Sequence, residues 1–128
     1  MLKDIENKII ESLSGLGIAI HVYHAYSTNS IYIKLDYGAL GSIRISDHNG
    51  KERYHYKYNV RTDINECYTE DRRNFYPADK IHVLLCDILL DYHDKINQSD
   101  YAITRKRYKD NRKDISFWRC CKEIRGGV

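Results

Sequence analysis

Two sets of cations are the side chains most able to do chemistry in this sequence. Lys34, Arg44, Arg53, His55 and Lys57 fall between Ser30 and Val60, a stretch that also carries Tyr32, Tyr37, Tyr54, Tyr56 and Tyr58. Arg105, Lys106, Arg107, Lys109, Arg112 and Lys113 form the second set around Tyr108, with Asp110 and Asp114 as the neighbouring acids. Lysine and arginine attract phosphate oxygens, and an aromatic face stacks on a base for about 1–3 kcal/mol, so the combination suits a phosphodiester backbone with unstacked bases. The same cations would meet an acidic protein surface. The plainer reading is a solvated sheet face and a solvated helix, whose cross-strand and i,i+4 pairs contribute little.

Other chemistries are poorly supplied. His21 and His24, three apart in a strand, point to opposite faces, and His82 and Cys86 share a helix face without two further ligands at a recognisable spacing. No metal or cofactor is expected. No catalytic residue is assigned, because phosphate-loop, nucleophile-elbow and His-Asn-His patterns are all missing from the sequence. Asp47, His48 and Glu52 near one turn leave a small metal-dependent nuclease as an alternative to a non-enzymatic binder. Cys67, Cys86, Cys120 and Cys121 show no paired spacing and read as reduced thiols.

Holding the first cation set on one surface requires a sheet. Asn49-Gly50 is a strong signal for a two-residue hairpin turn, which would set Ser46 against Arg53, Ile45 against Tyr54, Arg44 against His55 and Ile43 against Tyr56. A three-residue loop at Gly38-Ala39-Leu40 would set Leu35 against Ile43 and Ile33 against Ile45. Both hairpins put the isoleucines on the core side. They leave Lys34, Arg44, Arg53, His55 and Lys57 on the other, with His21, Tyr23, Tyr32, Asp36, Ser42 and Ser46. The first strand alternates from Ile18 to Tyr23.

Around the sheet, apolar spacing predicts helices over 2–14, over 77–95 with Pro77 at its first turn, and over 99–125, where 105, 109, 112 and 113 would share a face. Residues 61–76 lack a clean period and read as a long connection. The expectation is one α+β domain over 1–128, with a four-stranded antiparallel sheet within 17–60 and the order α-β-β-β-β-α-α.

The net charge of +3 is unevenly spread: from Thr104 onward nine lysines and arginines stand against three acids, so a weakly acidic body carries a basic arm. Such an arm points to an anionic partner. No apolar run approaches the roughly 20 residues of a membrane span, and Met1 leads directly into an amphipathic helix rather than a signal peptide, so a cytoplasmic location without membrane contact is expected. An exposed edge at strand one or strand four is where a second copy would pair.

The segment IYIKL followed by GSIRISDHNGKERYHYKYNV, Ile31 to Arg61, resembles a stretch of small proteins from phages and mobile elements of Gram-positive bacteria. That group includes Cas9-inhibiting anti-CRISPR proteins. The resemblance implies a phage-encoded, non-enzymatic CRISPR-Cas inhibitor in the cytoplasm of a bacterial host, binding the effector nuclease, its guide RNA or its target DNA. The helix from Pro77 and the cysteine-bearing C-terminus have no counterpart in that group. A nucleic-acid-binding module without inhibitory role is the alternative.

Overall fold

The computed structural model describes residues 1–25, 28–49 and 56–124. Helix α1 (Leu2–Leu13) forms where Leu2, Ile5, Ile9 and Leu13 recur on one stripe, and all four are buried. The strands are β1 (Ile20–Ala25), β2 (Ser30–Leu35), β3 (Gly41–Ser46), β4 (Tyr58–Arg61), β5 (Tyr68–Glu70), β6 (Arg73–Pro77) and β7 (Lys122–Ile124). The other helices are α2 (Ile81–Ile96), α3 (Tyr101–Asp110) and α4 (Ile115–Cys120).

The strands make one seven-stranded mixed sheet in the order β5-β6-β4-β3-β2-β1-β7. This corrects the expected four-stranded antiparallel sheet, and the error begins at Asn49-Gly50. Instead of returning as a hairpin, β4 lies parallel to β3, pairing Ile43 with Tyr58 and Ile45 with Val60, and parallel again to β6 on its other side. Eleven positions, 47–57, separate the two strands in sequence, about the dozen that a parallel pair needs, and Gly50 lies outside the described residues. Arg53, His55 and Tyr54 lie outside the described residues. Local turn chemistry loses here to burial: as a central strand β4 hides all four residues, Tyr58, Asn59, Val60 and Arg61.

A two-residue turn of the expected kind joins β5 and β6. Asp71 and Arg72 both have positive φ, 47° and 66°, between β5 and β6, whose Glu70 pairs with Arg73. That is the backbone a type I′ hairpin requires, built without asparagine or glycine, in the segment expected to be a plain connection.

Between β2 and β3 the pairing is Leu35 with Gly41, Ile33 with Ile43 and Ile31 with Ile45. The register is two residues from the expected one, because a 3-10 turn at Asp36–Gly38 lengthens the loop. A slip of two keeps every side chain on its face, so the expected core residues remain in the core. Pro77 ends β6 rather than opening a helix; a 3-10 turn at Ala78–Lys80 precedes α2. The single helix expected over 99–125 is α3, a break at 111–114, α4 and a short strand, β7, paired antiparallel to β1.

One face of the sheet packs on α1 and α2 through an aliphatic core that includes Ile9, Leu13, Ile33, Leu35, Ile43, Ile45, Val60, Leu84 and Ile88. Expected to be solvated, the opposite face is instead partly covered. Phe117 of α4 lies 6.2 Å from Tyr23, Trp118 lies 4.9 Å from His21, and the Lys34 ammonium sits 4.9 Å from the Phe117 ring. His21, Arg44 and Ser46 are buried. Among the described residues, no helix is long and apolar enough to cross a membrane.

Candidate functional site

The turn after β2 is shaped to receive α3. Asp36 and Tyr37 have φ of 49° and 62°, and Gly38 follows at 105°. A tyrosine held at positive φ costs about 1–3 kcal/mol, so its surroundings must over-determine it. Asp36 is 3% exposed, yet its carboxylate accepts from the Ala19 N–H at 2.9 Å, the Tyr101 hydroxyl at 2.6 Å and the Arg105 Nε–H at 3.2 Å. Burial and that carboxylate push the Tyr101 hydroxyl pKa well above the ordinary tyrosine value. The Tyr37 ring gathers three cations, Arg105 and Arg112 at 5.1 Å and Lys109 at 5.6 Å. A Cβ on Gly38 would come 3.2 Å from the Tyr108 ring, tighter than ordinary contact, and the φ of 105° itself favours glycine.

Because α3 buries no residue of its own, these charge-assisted and cation–π contacts hold it in place, not the core. Its placement makes one wall of an open groove of about 830 Å³. Six cations line the groove, Lys34 from β2, Lys57 beside β4, Lys95 from α2, Arg107 from α3, and Arg112 and Lys113 from the break after it. Among the described residues, the one lining carboxylate is Asp114. It is already engaged as the cap of α4, accepting from the Phe117 N–H at 3.3 Å.

The cations are held rather than loose. Lys57 and Lys95 share Asp91 at 2.8 and 3.4 Å, and Lys95 also donates to the Ala39 carbonyl at 3.2 Å. The Arg112 guanidinium lies 4.9 Å from Trp118 and 5.1 Å from Tyr37, two rings that stack on each other at 6.1 Å. Burial lowers the Lys34 pKa, with Asp114 opposing the shift. Arg107 and Lys113 have no ion pair among the described residues. A concave wall with this excess of positive charge lowers the energy of an anion inside it, and the neighbouring rings add π faces.

Of the residues singled out from sequence, the fold brings Lys34, Lys57, Arg107, Arg112 and Lys113 to the groove. Arg105 and Lys109 stand behind it on Tyr37, and Lys106 is exposed, paired with Asp110 at 2.7 Å. Positions 112 and 113 do not share a helix face with 105 and 109, since α3 ends at Asp110, but the break returns Arg112 to the same ring. Arg44, 8% exposed, is placed in the covered part of the sheet opposite Tyr32 and does not reach the groove. Arg53 and His55 lie outside the described residues. Sequence reasoning missed Lys95, which reads as a helix-end lysine, and Tyr37 and Trp118, whose meeting depends on α4 folding back.

The Asp47 and His48 pair is occupied with local structure. Asp47 accepts from Asn29 Nδ2 at 3.3 Å, and His48 Nε2 donates to the Thr28 carbonyl at 2.9 Å, pinning the turn before β2. Glu52 lies outside the described residues. Among the described residues, no three His, Cys, Asp or Glu side chains lie close enough to hold a metal ion. No family model, curated protein or solved structure matches this chain.

Proposed function

We propose that this chain is a nucleic-acid-binding protein that takes a phosphodiester backbone into the groove between α3, α2 and the sheet. The observation that carries this reading is the lining itself: among the described residues, six cations, of which Lys57 and Lys95 pair with Asp91, stand with one lining carboxylate, Asp114, and three aromatic side chains, Tyr37, Tyr108 and Trp118, in one concavity. Phosphate contacts of this kind release condensed counterions, so affinity falls with salt. If four of the cations meet phosphates, affinity for a single strand drops about 50-fold between about 50 and 200 mM salt.

The test is a salt series of oligonucleotide affinity for the native chain and for the double variant Arg107→Glu, Lys113→Glu. Weaker binding and a flatter salt slope in the double variant, with little change in Lys106→Glu, are expected. Binding untouched by the double reversal would place the nucleic-acid surface elsewhere.

The second reading is the CRISPR-Cas inhibitor of a bacterial host cytoplasm implied by the resemblance. What favours it is the same groove, which a guide RNA or target DNA carried by an effector complex would also meet. A pull-down from an extract containing effector complexes tests it. Recovery of a Cas protein, lost on reversal of Arg107 and Lys113, supports inhibition through this surface; recovery of bulk nucleic acid alone leaves the plain binding module.

A further inference from the structure

We infer that the groove selects single-stranded nucleic acid and stacks one base on the open face of Tyr108; this rests on the nucleic-acid reading above. Three observations lead there. The cations lining the groove come from separate elements, Lys34 from β2, Lys57 beside β4, Lys95 from α2, Arg107 from α3 and Lys113 from the break after it. A duplex offers its phosphates on a broad convex cylinder and would touch only the rim, whereas a single strand can run between the walls. The volume of about 830 Å³ falls within the range of clefts that enclose a compact ligand rather than a surface that meets a duplex.

The rings differ in what is left of them. Tyr37 and Trp118 are stacked on each other, and both carry the Arg112 guanidinium. Trp118 also meets His21 and Phe117 edgewise. Tyr108 is different. One side of its ring lies against Gly38, no ring or cation contact engages it among the described residues, and the residue is 46% exposed. An exposed tyrosine backed by glycine backbone, with Arg107 and Lys113 on the same groove wall, is a stacking platform beside phosphate contacts.

The test compares binding of a labelled single strand of about eight nucleotides, a blunt duplex of the same length and inorganic polyphosphate of similar charge, by fluorescence anisotropy at one salt concentration. Tyr108→Ala, Tyr108→Leu and Tyr108→Phe are run alongside, leucine keeping the packing on Gly38 and phenylalanine keeping the π face. The expected result is at least tenfold preference for the single strand over both other probes, about tenfold loss in the Ala and Leu variants and native affinity in the Phe variant. The strand also changes the emission of Trp118, the chain's one tryptophan and part of the groove wall.

Equal affinity for strand and duplex, or native affinity in Tyr108→Leu, overturns this inference and leaves the nucleic-acid reading standing. Polyphosphate bound as tightly as the strand, or no binding to either nucleic acid, overturns both.

Discussion

On the side of the sheet that meets α1 and α2, Ile33, Leu35, Ile43, Ile45 and Val60 are wholly buried against other aliphatic side chains, and stability follows from apolar area removed from water. On the opposite side, His21 meets Trp118, Tyr23 and Lys34 meet Phe117, and the Arg112 guanidinium rests on the Trp118 ring. The first face fixes the fold. The second is held by contacts an anion can join, so the protein's chemistry gathers where the cover is thin: around the Asp36–Gly38 turn and the groove beside it.

The sharpest way to break this contrast is to place a charge in the aliphatic layer. Ile45→Asp buries an unpaired carboxylate at a fully buried site, and loss of the cooperative thermal transition is expected. A normal melt for that variant would mean that the core has been assigned to the wrong face.

A smaller effect is expected from the other side. Asp36→Asn weakens what holds Tyr101 and Arg105, costing about 1–3 kcal/mol by urea denaturation. Amide exchange should quicken across α3 while α1, α2 and the central strands keep their protection. Uniform loss of protection would show that α3 belongs to the core and is not a clamped addition.

The mildest probe is alkaline pH. Tyr58 and Tyr76 point into the aliphatic side, with their hydroxyls donating to Asp91 at 3.4 Å and Asp87 at 2.6 Å, and burial with those carboxylates raises both pKa values well above the ordinary one. The unfolded chain gives up these protons near pH 10 while the folded chain keeps them. Their contribution is therefore complete below about pH 10 and declines above it by about 1.4 kcal/mol per pH unit for each tyrosine. Tyr76→Phe should remove one such share of the slope; an unchanged slope would mean that Tyr76 ionises freely in the fold.

How much of this was legible in the sequence differs between the faces for a physical reason. Alternation and helical spacing report burial, and they placed Ile33, Ile43, Ile45, Leu84 and Ile88 in the core even where the β2–β3 register was two residues out. Strand direction leaves no such mark. Tyr58 and Val60 face the core whether β4 returns as a hairpin or runs parallel, so the parity that identified the face could not reveal the crossover. At the β5–β6 hairpin Asp71 is a residue that tolerates positive φ, but Arg72 stands where glycine usually completes the signal.

At the site, five cations of the groove were readable as cations, but their convergence depends on the break at 111–114 and on Trp118 returning to the sheet. Those are tertiary events among residues with weak periodicity. Asp36 gave no signal beyond its alternation, because its three donors come from Ala19, Tyr101 and Arg105, far apart in the chain.

The groove framed by the Asp36–Gly38 turn is proposed as the working surface. It is tested most directly by titrating the isotopically labelled protein with a short single-stranded oligonucleotide and following backbone and side-chain resonances by NMR. Shifts are expected to concentrate on Tyr37, Gly38, Lys57, Tyr108, Arg112 and the Trp118 indole, while α1 and the β5–β6 hairpin stay silent. Shifts centred on β5 and β6, or none at saturating oligonucleotide, would contradict it.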